Sequence, residues 1–77
     1  MEYFAIKLLE KMKEKGITQK KLYQELNIGK NQIHYWVKNK AEPDLETLKR
    51  LAIYLETTSD YLIGLENEDG IKANLSE

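Results

Sequence analysis

The chain contains no cysteine, which closes off disulfides and thiolate metal sites alike. Its only histidine, His34, cannot build a metal site without help from carboxylates. Glycine occurs four times, too sparsely for a loop that cradles phosphate. No stretch approaches the ~20 apolar residues of a membrane span. The opening residues, Met1 to Lys7, lack a basic start followed by a long apolar run, so no signal peptide is read there. No run alternates apolar and polar residues over strand length, and there is no internal repeat or low-complexity tract. Nothing resembles a nucleophile elbow, a catalytic triad or a metal cluster, and 77 residues leave little room for a substrate cleft. The expectation is one small cytoplasmic all-α domain that is not an enzyme and has no cofactor and no metal. Such a chain buries only about 60% of its unfolded surface, so its stability margin is thin.

What is there begins with charge, and its distribution says more than its sum. Residues 1–64 carry eleven Lys/Arg against nine Asp/Glu, a balance of +2. Residues 65–77 carry Lys72 against Glu66, Glu68, Asp69 and Glu77, a balance of -3. The total of -1 therefore hides a mildly basic body and an acidic end. Between Asn27 and Lys40 there are three lysines and no acid. Local potential steers binding, so a pI of 5.9 decides little about partners.

Apolar spacing divides the body into five helices. The first is expected from about Glu2 to Lys15: Phe4, Leu8 and Met12 recur every four residues, and Ala5 and Leu9 widen the stripe. Lys7, Lys11, Lys13 and Lys15 fall mostly off it and read as a solvated face. Gly16 ends this helix, with Lys13 and Lys15 in its last turn. Thr18 caps the second, which buries Leu22 and Leu26. Asn27 and Gly29 suit the turn that follows, because both tolerate left-handed backbone angles. The third, from about Lys30 to Val37, buries Ile33, Trp36 and Val37, and Asn39 closes it. Asp44 caps a fourth with Leu45, Leu48, Leu51, Ala52 and Leu55 on one face. Ser59 or Asp60 caps a short fifth holding Tyr61, Leu62 and Ile63, which Gly64 stops. Residues 66–77, polar, acidic and aperiodic, read as a flexible tail.

The second and third helices are joined by only Asn-Ile-Gly, and so short a connection forces a steep crossing. The outward face of the third carries Lys, Asn, Gln, His and Tyr, which can hydrogen-bond base edges or phosphates. Several strings then fall in a characteristic order. They are Lys15 to Leu22 (KGITQKKL), Glu25 to Ile28 (ELNI), Ile33 to Trp36 (IHYW), Pro43 to Leu48 (PDLETL) and Ser59 to Gly64 (SDYLIG). Any one is weak; their order and spacing over about Leu8 to Leu65 resemble a Cro/CI-type (XRE-family, lambda-repressor-like) helix-turn-helix domain. The resemblance implies a compact five-helix fold and double-stranded DNA binding. It also implies a homodimer on a palindromic operator and the role of a bacterial or phage transcriptional regulator, most often a repressor.

The same resemblance assigns roles. Lys30, Asn31 and Gln32 open the reading helix where the family contacts bases, with Tyr35 one turn on and His34 beside it. Gln19 matches a phosphate contact, and Lys38, Asn39 and Lys40 fall where the family clamps phosphate. Independently, lysine can bond guanine, and Asn and Gln can pair with adenine, in the major groove. Trp36 shares a face with Ile33 and reads as core, while Tyr35 either touches DNA or shields Trp36. Tyr54, Tyr61, Ile63 and Leu65 are candidates for the dimer surface, or else complete the monomer core. A different class of function is a protein-interaction module, such as an antitoxin or anti-repressor component, with a partner at the acidic tail.

Five positions depart from the family pattern. Tyr23 stands where a small residue is usual, and overpacking a helix crossing costs roughly 1–3 kcal/mol unless the helices shift. Asn27 replaces the turn glycine. Gly29 replaces a capping Ser or Thr, at a cost of a few tenths of a kcal/mol. Met12 and Val37 occupy the places of an ion pair that many relatives have, and apolar contact can substitute for one without loss.

Overall fold

A computed structural model of the chain describes residues 3–65. Among them are five helices and no strand: α1 (Phe4–Lys15), α2 (Gln19–Glu25), α3 (Lys30–Val37), α4 (Leu45–Tyr54) and α5 (Ser59–Leu62). The fold is all-α. Residues 66–77, including the expected tail, lie outside the described residues.

Each helix ends in the same way. Gly16, Asn27, Asn39, Glu56 and Gly64 all adopt positive φ, between 54° and 87°. In each case the next residue's N–H reaches back to a carbonyl of the last turn. The pairs are Ile17 to Met12, Ile28 to Tyr23, Lys40 to Tyr35, Thr57 to Ala52 and Leu65 to Asp60, at 2.7–3.0 Å. This is the left-handed stop that satisfies orphan carbonyls at a helix C-terminus. At Gly64 the residue type is also required sterically, because a Cβ there would lie 2.6 Å from Cδ2 of Tyr3.

The starts are capped by side chains where the sequence offers them. Thr18 Oγ1 accepts from Lys21 N–H at 3.1 Å, and Asp44 Oδ1 from Thr47 N–H at 2.8 Å. α5 is capped one residue earlier than expected: Thr58 Oγ1, not Ser59 or Asp60, accepts from Tyr61 N–H at 3.0 Å. Thr58 has the extended backbone of a cap (φ -118°, ψ 157°), whereas Ser59 and Asp60 are already helical. α1 begins at Phe4 behind an uncapped Tyr3, two residues later than its spacing suggests.

Leu8, Leu22, Ile33, Leu51, Leu55 and Leu62 are wholly buried at the centre. α1 packs on α3 through an edge-to-face contact of Phe4 with Trp36, ring centroids 6.0 Å apart. Two apolar residues leave the expected core. Leu9 is 43% exposed, because a helical step of about 100° carries it off the stripe centred on Leu8. Leu45 is 71% exposed: it keeps the angle of the α4 stripe, but at the first helical position no core lies beneath it. Met12 is buried and Val37 half-buried against the same core cluster, so apolar packing stands at both ion-pair positions.

Candidate nucleic-acid interface

α3 divides cleanly into two faces. Ile33 and Trp36 are buried at 0% and 3% exposure and anchor the helix, while Lys30, Asn31, Gln32, His34 and Tyr35 are exposed. The split follows from periodicity, since residues three apart share a face. Lys38, Asn39 and Lys40 are exposed just beyond its end. Gln19 is exposed at the first position of α2.

The turn before α3 differs in one respect from its sequence reading. Asn27 takes the left-handed angle (φ 54°), but Gly29 is extended, with φ -62° and ψ 139°, and acts as the N-cap. Glycine has no side chain to cap with, so the cap is one-sided. Gln32 reaches back, and its Oε1 accepts from Gly29 N–H at 3.3 Å. One end of the Gln32 amide is thereby turned toward its own helix start. The α2–α3 turn is also held from outside: an Arg50 Nη2 of α4 donates to the carbonyl of Leu26, the residue ending α2.

Between α2 and α3 lies an open groove of about 500 Å³, lined by Gln19, Lys20, Tyr23, Lys30, Asn31 and His34. It brings together four of the residues expected to meet DNA: Gln19, Lys30, Asn31 and His34. Gln32, Tyr35, Lys38, Asn39 and Lys40 lie outside its lining. The His34 and Tyr35 rings tilt against each other with centroids 5.9 Å apart. No carboxylate lines the groove, and neither Lys20 nor Lys30 has an ion-pair partner among the described residues. Lys20 and Tyr23 were not singled out by sequence as site residues. Their signal was available: Gln19 and Tyr23 are four apart, and Lys20 and Tyr23 three apart, so one flank of α2 presents all three.

Of the four residues weighed for the dimer surface or the monomer core, Tyr61 is built into the core. It is 4% exposed and belongs to the monomer core. Its hydroxyl donates to Glu10 Oε2 at 2.9 Å, and Lys7 Nζ and Lys11 Nζ stand 4.9 and 4.7 Å from its ring centroid. Tyr54, Ile63 and Leu65 are half-buried, and Ile53 beside Tyr54 is 77% exposed.

Two short helices crossing over a three-residue turn, with the second bound by its apolar side and open on its polar side, define a helix-turn-helix protein. Comparison with known proteins places it more closely. A family model described as Helix-turn-helix matches residues 8–62. The chain belongs to this family, the Cro/CI-type (XRE) helix-turn-helix family of DNA-binding transcriptional regulators. It is similar to the HTH-type transcriptional regulator ImmR of Bacillus subtilis (strain 168), with 34% identity over 58 residues. That match covers 75% of this chain and 46% of the relative, so the chain spans about half the relative's length.

Proposed function

We propose that the chain is a sequence-specific reader of double-stranded DNA that acts as a transcriptional repressor in the cytoplasm, on the nucleoid. Its domain is residues 1–65, and it binds a palindromic operator as a homodimer. The observation that carries this reading is the polarity of α3: amide and amine groups outward, Ile33 and Trp36 inward, and no acid between Asn27 and Lys40. Asn31 and Lys30 read base edges in the major groove, with Gln32, His34 and Tyr35 beside them. Gln19, Lys38, Asn39 and Lys40 hold phosphates and set register. Two copies joined through the Tyr54, Ile63 and Leu65 end, with Ile53 added to it, would set their reading helices about 34 Å apart on a two-fold site.

Selection of bound sequences from a random duplex pool tests this. A palindromic consensus is expected, with affinity that falls steeply as salt rises because phosphate contacts release counterions. Binding without sequence preference at low salt would overturn the regulator reading. A consensus with a single, non-repeated half-site would overturn the dimer.

A further inference from the structure

The groove between α2 and α3 has an aromatic side chain, Tyr23, in its wall. Tyr23 stands on the flank of α2 that faces α3. Its ring is half-buried against the edge of the core and also forms part of the groove wall. Its hydroxyl has no hydrogen-bond partner among the described residues. Nor is that hydroxyl sealed inside, since no buried side-chain oxygen or nitrogen lacks a partner. The phenol is therefore held by its ring and open to solvent at its oxygen. Lys20 and Lys30 line the same groove, and no carboxylate opposes them.

An uncharged donor that shares a groove with two unpaired ammonium groups suits a phosphodiester oxygen. It suits a carboxylate-bearing protein segment less well, because every outward group of α3 is an amide, imidazole, phenol or amine of the kind that meets DNA. We infer that Tyr23 is a DNA-contacting residue: its hydroxyl donates to a backbone phosphate seated in the α2–α3 groove, with Lys20 and Lys30 supplying the charge. This rests on the DNA reading above and adds to it a contact specific to this chain. The rigid ring costs little conformational entropy to position, which a lysine in its place could not offer.

The test compares the full chain with Tyr23→Phe and Lys20→Ala on three duplexes: the selected consensus, a point-mismatched consensus and a scrambled sequence. Each is titrated over a salt series, and thermal midpoints are recorded. Tyr23→Phe keeps the ring, so its midpoint should not move. Its affinity is expected to fall about tenfold, by the same factor on all three duplexes. The salt slope should stay unchanged, because no charge is removed. Lys20→Ala should lower the magnitude of the salt slope by about one. If wild type binds and Tyr23→Phe matches it within about twofold on every duplex, the inference is wrong and the DNA reading stands. A loss confined to one base position would also overturn it, by making Tyr23 a base reader. If the wild-type chain binds no duplex at all, the DNA reading falls and takes this inference with it.

Discussion

Asn31 is the residue on which the proposed base reading turns. It is exposed at the second position of α3, lines the groove and makes no side-chain hydrogen bond to the described residues. Both ends of its amide can therefore meet a base edge, whereas Gln32 already spends an oxygen on Gly29. Asn31→Ala is expected to lose about 1–3 kcal/mol of binding and to relax preference at one base position. Titration against a panel of single-base operator variants measures this; equal weakening on every variant would move Asn31 to a phosphate role. Asp44 offers a second residue-scale prediction. Hydrogen bonds from the Thr47 side chain, and then from the Thr47 backbone, hold its carboxyl below the ordinary value of 3.8. A lowered folded pKa means that the contribution is complete above the unfolded pKa and is lost as pH falls through the folded one. Asn caps a helix about as well as Asp, so Asp44→Asn isolates the charge. The wild type's thermal midpoint should fall more than the variant's as pH drops below about 4. Parallel curves would show that the charge contributes nothing.

Helix ends are where this chain spends its special backbone angles. Four of the five left-handed stops use Gly or Asn, which bear that conformation at little cost. The α4 stop uses Glu56 at φ 55°, with only an exposed ion pair to Lys15 at 3.5 Å in return. An L-residue without a local hydrogen bond is disfavoured there by roughly 1–2 kcal/mol, and an exposed ion pair returns less than about 1 kcal/mol. Glu56→Asn should therefore stabilise the domain, and Glu56→Val should destabilise it because a branched Cβ suits this region worst. Urea midpoints should separate the two variants by about 1–2 kcal/mol. Coincident midpoints would mean that α4 can end elsewhere at no cost. The Glu56 stop was not legible because Glu carries no turn signal, although the polar Thr57–Ser59 run follows it directly.

At the scale of the whole molecule, the reading helix is held by contacts from three directions. Phe4 of α1 meets Trp36, α2 shares the core through Leu22, and Arg50 of α4 bonds the Leu26 carbonyl at the turn. The last contact ties together residues 24 apart in sequence. Arg50→Met keeps the length of the side chain and removes the donor, leaving a helix-terminal carbonyl to solvent. It should lower stability by about 1 kcal/mol, read as a urea midpoint shift at constant slope. Amide exchange at Leu26 to Ile28 should quicken more than exchange in α1. Exchange that quickens equally everywhere would show that Arg50 supports the fold but not the turn in particular.

Local chemistry was enough to read the five helices, the Thr18 and Asp44 caps, the Gly16, Asn27, Asn39 and Gly64 stops and the two faces of α3. Each depends on residues within one turn of one another, where periodicity and capping act. Tertiary packing decided what depends on distant neighbours. Leu45 has the right angle and no core beneath it, and Tyr61 lies under two lysines and a glutamate of α1 rather than at a surface. Gly29 caps α3 as its position implied, but with an extended backbone and not a left-handed one. The groove that gathers Gln19, Lys20, Tyr23, Lys30, Asn31 and His34 exists only because α2 and α3 cross. Periodicity says which way a side chain points; only the packed chain says what it meets there.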